Sequence, residues 1–97
     1  MFTGSLVLDL LLGDVHSLKE KRSVVRPIVA ELQRKYAVSA AEAGHLDLHR
    51  RALVGVAVVA ADAQQCRTVL DACERLVASH PEVDVLSARQ QLYGEDD

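Results

Sequence analysis

The sequence predicts an α+β domain built in the order β-α-β-β-α-β, and three observations carry that expectation. Two segments have apolar residues recurring at helical spacing, each opened by a capping residue with a partner three positions on. Four other segments alternate, or run apolar, with the period of a strand. Between the second and third of these strands stands only a Gly-His-Leu-Asp turn, so that pair is a hairpin, while the other consecutive strands are separated by a helix. This is the split βαβ arrangement of ferredoxin-like domains: a four-stranded antiparallel sheet with two helices on one face.

Taken in order, Phe2 to Leu12 is a strand with Phe2, Gly4, Leu6, Leu8, Leu10 and Leu12 on one face. Its other face, with Thr3, Ser5, Val7, Asp9 and Leu11, is mixed, as in a sheet covered on one side. Ser17 and Glu20 form a capping box that opens the first helix. Val24, Val25, Ile28, Val29, Leu32 and Tyr36 then mark its core stripe. Pro27 removes one N–H and crowds the preceding turn, so a bend is expected near Ser23–Pro27. Ala37–Ala43 alternates weakly as a second strand, and Gly44–Asp47 turns the chain. From about Leu48 to Ala61 the chain is β-rich, and Leu53–Val59 is apolar on both faces, as in a central strand. Asp62 and Gln65 open a second helix with a stripe of Cys66, Val69, Leu70, Cys73, Leu76 and Val77, and His80-Pro81 stops it. Val83–Leu92 is a last strand, polar on the side of Ser87, Arg89 and Gln91 and therefore an edge. Residues 1–93 are expected to form a single domain, and 94–97 an acidic frayed tail.

Composition narrows the class. A 97-residue chain that is 49% hydrophobic and 26% charged suits one soluble globular domain. The net charge of −3 hides an asymmetry: residues 1–51 carry +2 and residues 52–97 carry −5. The basic charge lies between Lys19 and Lys35 and at Arg50-Arg51, so an anionic partner is expected to meet that half. Cys66 and Cys73, seven positions apart on a helix, place their Cα atoms about 10 Å apart, too far for a disulfide. Reduced core thiols fit a cytoplasmic protein. The apolar run Leu6–Leu12 is interrupted by Asp9 and far short of a membrane span, so no membrane partner is expected.

The segments Ser17–Arg22 (SLKEKR), Glu42–Ala52 (EAGHLDLHRRA) and Leu53–Ala60 (LVGVAVVA) resemble the YlxP-like family, small bacterial proteins grouped as a domain of unknown function. The resemblance runs from the first strand to about Val85, and the SLKEKR and GHxD segments are its most specific parts. It implies a ferredoxin-like fold and no established activity. The family's genes often stand among those for transcription termination, translation initiation and ribosome maturation, which implies an RNA- or ribosome-linked role. Many members have an aromatic residue where this chain has His49.

Among features that carry chemistry, the first is the basic helix start. Lys19, Lys21, Arg22 and Arg26 gather near the positive end of a helix dipole, where phosphate is favoured. Arg34 continues the same side, and Arg50 and Arg51 extend the surface if the hairpin tip leans toward the helix. Lys21 itself tilts toward the core, its stem covering apolar surface and its ammonium staying in water. His45, Asp47 and His49 present metal-ligand types at alternate positions, but a turn breaks their common direction. His45 and Asp47 are therefore expected to shape the turn, Asp47 by bonding nearby amides, and no metal or cofactor is expected. Phosphate-binding glycine motifs are lacking, both thiols fall on the core stripe, and Asp14 with His16 is only a loop pair, so no catalytic residue and no small-molecule substrate is implied. The three aromatics, Phe2, Tyr36 and Tyr93, are too few for a base-stacking sheet.

Two functions follow as expectations. One is a non-enzymatic accessory factor contacting ribosomal RNA or a ribosomal subunit through the basic helix surface, by phosphates and with weak sequence preference. The other is a homodimeric regulatory or protein-interaction module using the open sheet face. Val7 and Leu11, with Val54, Val56 and Val58, are candidates to line that face, the outward side of the third strand being open from sequence alone.

Overall fold

The computed structural model describes residues 1–94. Phe2–Leu12 forms β1, Leu18–Lys35 α1, Ser39–Gly44 β2, Arg51–Ala60 β3, Ala63–Ala78 α2 and Val83–Gly94 β4. The strands make one antiparallel sheet in the order β2-β3-β1-β4, which is the ferredoxin-like topology with β1 and β3 at the centre.

Alternation along β1 sets the layering. Leu6, Leu8, Leu10 and Leu12 are fully buried and meet Val25, Ile28 and Leu32 of α1 and Cys66, Leu70, Cys73 and Val77 of α2 in one core. Each such leucine contributes roughly 1.5–3 kcal/mol through burial. Pairing with β1 then decides which side of β3 faces inward. Leu6 lies opposite Val56 and Leu8 opposite Val54, so Ala52, Val54, Val56 and Val58 join the core. This corrects the open-face candidates Val54, Val56 and Val58: the outward residues are Leu53, Gly55, Ala57 and Val59. A strand apolar on both faces has no period from which its orientation can be read.

Several boundaries move for identifiable reasons. The chain over Leu48–Arg50 stays outside β3, because Leu48 N–H donates to the His45 carbonyl at 3.0 Å and turns the connection. β2 begins at Ser39 and reaches Gly44, whose φ is not positive; the left-handed residue of the turn is His45, with φ 56°. Gly44 serves a close approach instead, since a Cβ there would lie 2.8 Å from Leu53 Cδ2. β4 extends to Gly94, which pairs with Phe2, and a bulge between its Ser87 and Val85 leaves Leu86 half-exposed. The rest of the expected acidic tail, 95–97, lies outside the described residues. α1 is unbroken through Pro27. Ser23, whose carbonyl is denied the proline's N–H, and Pro27 are both exposed residues.

Cys66 and Cys73 are buried and unlinked, and burial pushes the Cys73 thiol up from its ordinary pKa. Among the described residues no helix is long and apolar enough to cross a membrane.

In the core, β1 and α2 approach closely at Gly4, where a Cβ would lie 2.9 Å from Leu70 Cδ1 and 3.2 Å from Leu92 Cδ2. Gly4→Val is therefore expected to force α2 off β1 and cost about 1–3 kcal/mol, read as a lower urea midpoint. An unchanged midpoint would refute the close-packing role of this glycine.

Candidate nucleic-acid interface

The loop into α1 is shaped by short polar contacts. Ser17 Oγ accepts the Glu20 N–H at 3.1 Å, and Glu20 Oε2 accepts the His16 N–H at 3.2 Å. The return bond of the capping box thus goes to the residue before the cap. Asp14 and His16 do pair, at 2.7 Å and in full solvent.

Of the seven candidate cations, the structure brings three together. Lys19, Arg22 and Arg26 are exposed at helical spacing and line one shallow hollow with Ser23 and Pro27. Among the described residues none of the three has an ion-pair partner. Arg34 stands two turns beyond Arg26 and is 3.8 Å from Glu31. Arg50 donates its Nε–H to the carbonyls of Leu12 and Gly13, closing the end of β1. Arg51 is on the opposite side of the sheet, where it grips Asp9 through Nη2 at 2.6 and 2.8 Å.

Lys21 tilts toward the core as expected, but its ammonium does not stay in water. It is 1% exposed. Its ammonium lies 2.7 Å from Glu42 Oε2 and donates to the His45 carbonyl at 2.6 Å. It is not in water and belongs to no surface. The sequence placed it on the core side of the helix but missed the partner: Glu42 lies opposite Val54 on the inner side of β2, facing α1. Glu42 and Gln33 are the two residues near the ridge that sequence reasoning did not single out. Gln33 donates from Nε2 to the Ala40 carbonyl at 3.0 Å, holding α1 to the edge strand. Glu42 joins Arg22, Val25, Arg26, Val29 and Gln33 around a second hollow, of about 340 Å³, between α1 and β2.

On the outer sheet face, His45 Nε2 lies 3.5 Å from Asp9, which Arg51 also binds. The Arg51 hydrogen bonds hold the Asp9 carboxyl below its ordinary pKa, against the cost of desolvation. Asp47 makes no hydrogen bond among the described residues, so the expected amide-bonding role is not seen; His45 holds the turn through its carbonyl. No three His, Cys, Asp or Glu side chains among the described residues come together to hold a metal ion. At the end of α2, His80 bridges Glu31 at 2.9 Å and Glu82 at 3.6 Å, and its hydrogen bond holds the Glu31 carboxyl below its ordinary range.

Removing a buried charge from a pair leaves the other uncompensated. Lys21→Met is expected to cost about 3 kcal/mol, whereas Lys19→Met on the exposed ridge stays within about 0.5 kcal/mol. Chemical denaturation of the two variants checks this, and equal stabilities would refute the structural role of Lys21.

Comparison with known sequences shows a family and names no activity. The family model described as protein of unknown function (DUF503) matches residues 3–90. A Bacillus subtilis (strain 168) protein described as uncharacterized protein YlxP is 31% identical over 85 residues, covering 88% of this chain and 92% of the relative. With nearly the whole domain matched by both, the chain belongs to the YlxP-like DUF503 family.

Proposed function

We propose that this chain is a cytoplasmic, non-enzymatic binding protein, an accessory factor that holds ribosomal RNA or a ribosomal particle by phosphate contacts along α1. The observation that carries the reading is the row of Lys19, Arg22 and Arg26, exposed and free of acidic partners among the described residues. Cations that are not neutralised at home are the ones that gain from an external polyanion, because binding releases the partner's condensed counterions. Lys19 stands in the first turn of α1, where the positive end of the helix dipole adds its own attraction for a bound phosphate. Among the described residues Tyr93 is the one aromatic exposed on the outer sheet face, and its hydroxyl donates to Gln91. Affinity is therefore assigned to phosphates rather than to a stacking sheet.

Co-sedimentation with ribosomal subunits at low and near-physiological salt tests this. With three cations engaged, log affinity is expected to fall with log salt at a slope of about −2 for single strands. Arg22→Glu with Arg26→Glu is expected to abolish co-sedimentation while leaving the denaturation midpoint in place. Retained binding by the folded double variant would refute the site.

A second reading is favoured by the outer sheet face, where Val7, Ala41, Gly55 and Ala57 line a shallow hollow of about 240 Å³ and Val59 is 62% exposed. Such a face of small residues suits close approach of a second copy in a symmetric dimer. Sedimentation at micromolar concentration is expected to show a dimer that Ala57→Arg dissociates; a monomeric parent would refute it.

A further inference from the structure

We propose that the hollow between α1 and β2 takes one unstacked guanine base of an RNA strand whose phosphates lie on the Lys19–Arg22–Arg26 ridge, with Glu42 reading the base's donor edge. The inference rests on the RNA reading of the ridge and adds to it a base pocket and a base preference. The ridge hollow and the second hollow share Arg22 and Arg26, so a strand held on the ridge runs along the mouth of the second. At about 340 Å³ that hollow lies at the small end of ligand pockets, the scale of one base rather than of a large ligand. Val25, buried, and Val29, half-buried, make it apolar on the helix side. The two guanidinium groups at its edge offer planar cationic surfaces of the kind on which splayed-out bases stack.

Glu42 supplies the discrimination. Its Oε2 is buried against the Lys21 ammonium, while its side chain keeps 21% exposure. The accessible part is thus the remainder of the side chain, Oε1 included, and Oε1 has no partner among the described residues. Neither Arg22 nor Arg26 is within ion-pairing distance of this carboxylate, although all three line the same hollow; Lys21 already neutralises it. A carboxylate beside a fixed ammonium only accepts hydrogen bonds. Guanine presents two adjacent donors, N1–H and the N2 amine. Adenine and cytosine place a ring lone pair beside their amine, and uracil flanks its single N–H with two carbonyls. A carboxylate repels each of those lone pairs. Charge complementarity therefore assigns phosphate to the arginines and guanine to Glu42.

Fluorescence anisotropy at fixed salt with two labelled single-stranded octamers, octauridylate and the same strand with one central guanosine, tests the proposal. The guanosine strand is expected to bind about tenfold tighter, the scale of one hydrogen bond to a charged group. Glu42→Gln is expected to erase that preference, read as the ratio of the two octamer affinities. Because Glu42→Gln also alters the Lys21 pair, Ala30→Leu serves as the second variant. Ala30 is exposed at the hollow, and leucine there fills space on a good helix former without entering the core. It too is expected to erase the preference alone. Equal binding of the two octamers overturns this inference and leaves the RNA reading standing, as does a preference that survives both variants. No binding of either octamer overturns both. Free guanosine 5′-monophosphate binding as tightly as the octamer overturns the assignment to an RNA strand.

Discussion

The buried ammonium of Lys21 is the constraint from which the geometry of this surface follows. A charge taken out of water is tolerated only where its partners are fixed around it. Here the partners come from two further places in the chain: the Glu42 carboxylate in β2, at 2.7 Å, and the His45 carbonyl in the turn that follows, at 2.6 Å. One side chain of α1 thereby locks the helix to the edge strand and to the left-handed turn. An ion pair of this kind adds little net stability over an apolar replacement of both partners. What it does set is the rotation of α1 about its axis. With Lys21 turned inward, Arg22 and Arg26 come to lie beside Glu42, and Lys19 lies on the outer side of the same ridge.

The same pairing explains why the ridge stays open. A surface with acids and bases in reach of each other usually closes into weak ion pairs. Here the acids near α1 are already engaged. Glu42 belongs to Lys21, Glu31 to His80, and Glu20 to the amide of His16. Asp9 is on the far side of the sheet with Arg51. Hydrogen bonds from Arg51 and His80 hold the Asp9 and Glu31 carboxyls below their ordinary pKa. Lys19, Arg22 and Arg26 are left with solvent, and an anion arriving there has no internal pair to break.

The fold was legible because its signals are local and agree with one another. The alternation of β1, the two capped amphipathic helices and the short turn between β2 and β3 each point to one topology. The site was legible only in part, for a reason visible in particular residues. Lys19, Arg22 and Arg26 follow one another at steps of three and four residues, so helical geometry alone brings them together. The Lys21–Glu42 pair spans from α1 to an edge strand, and nothing in a single sequence states that distance. The hint was present: a cation on the apolar side of α1, and an acid two positions from the buried Ala40 of the same strand. Arg51 joins the basic surface only if the hairpin tip leans toward α1, and a strand that is apolar throughout has no period from which that can be judged. Only the register with β1 puts Arg51 opposite Leu11, on the outer side.

The two candidate surfaces differ in what they ask of the fold. The ridge requires α1 to be held in one orientation, which the Lys21 contacts and the Gln33 bond to the Ala40 carbonyl provide. The outer sheet face requires only flatness and small side chains, which Gly55 and Ala57 on β3 and Ala41 on β2 provide. Because the helices cover the other side of the sheet, neither surface obstructs the other. A pair of copies joined through the outer face would turn their ridges away from each other, toward separate segments of a large folded RNA. Each ridge alone supplies three cations, a modest affinity at cellular salt. Were both proposed surfaces used, two ridges on one rigid body would bind the second segment at the high effective concentration of an intramolecular event. The two proposed contacts would therefore reinforce each other: a weak phosphate-based ridge gains from a sheet face that pairs with a second copy.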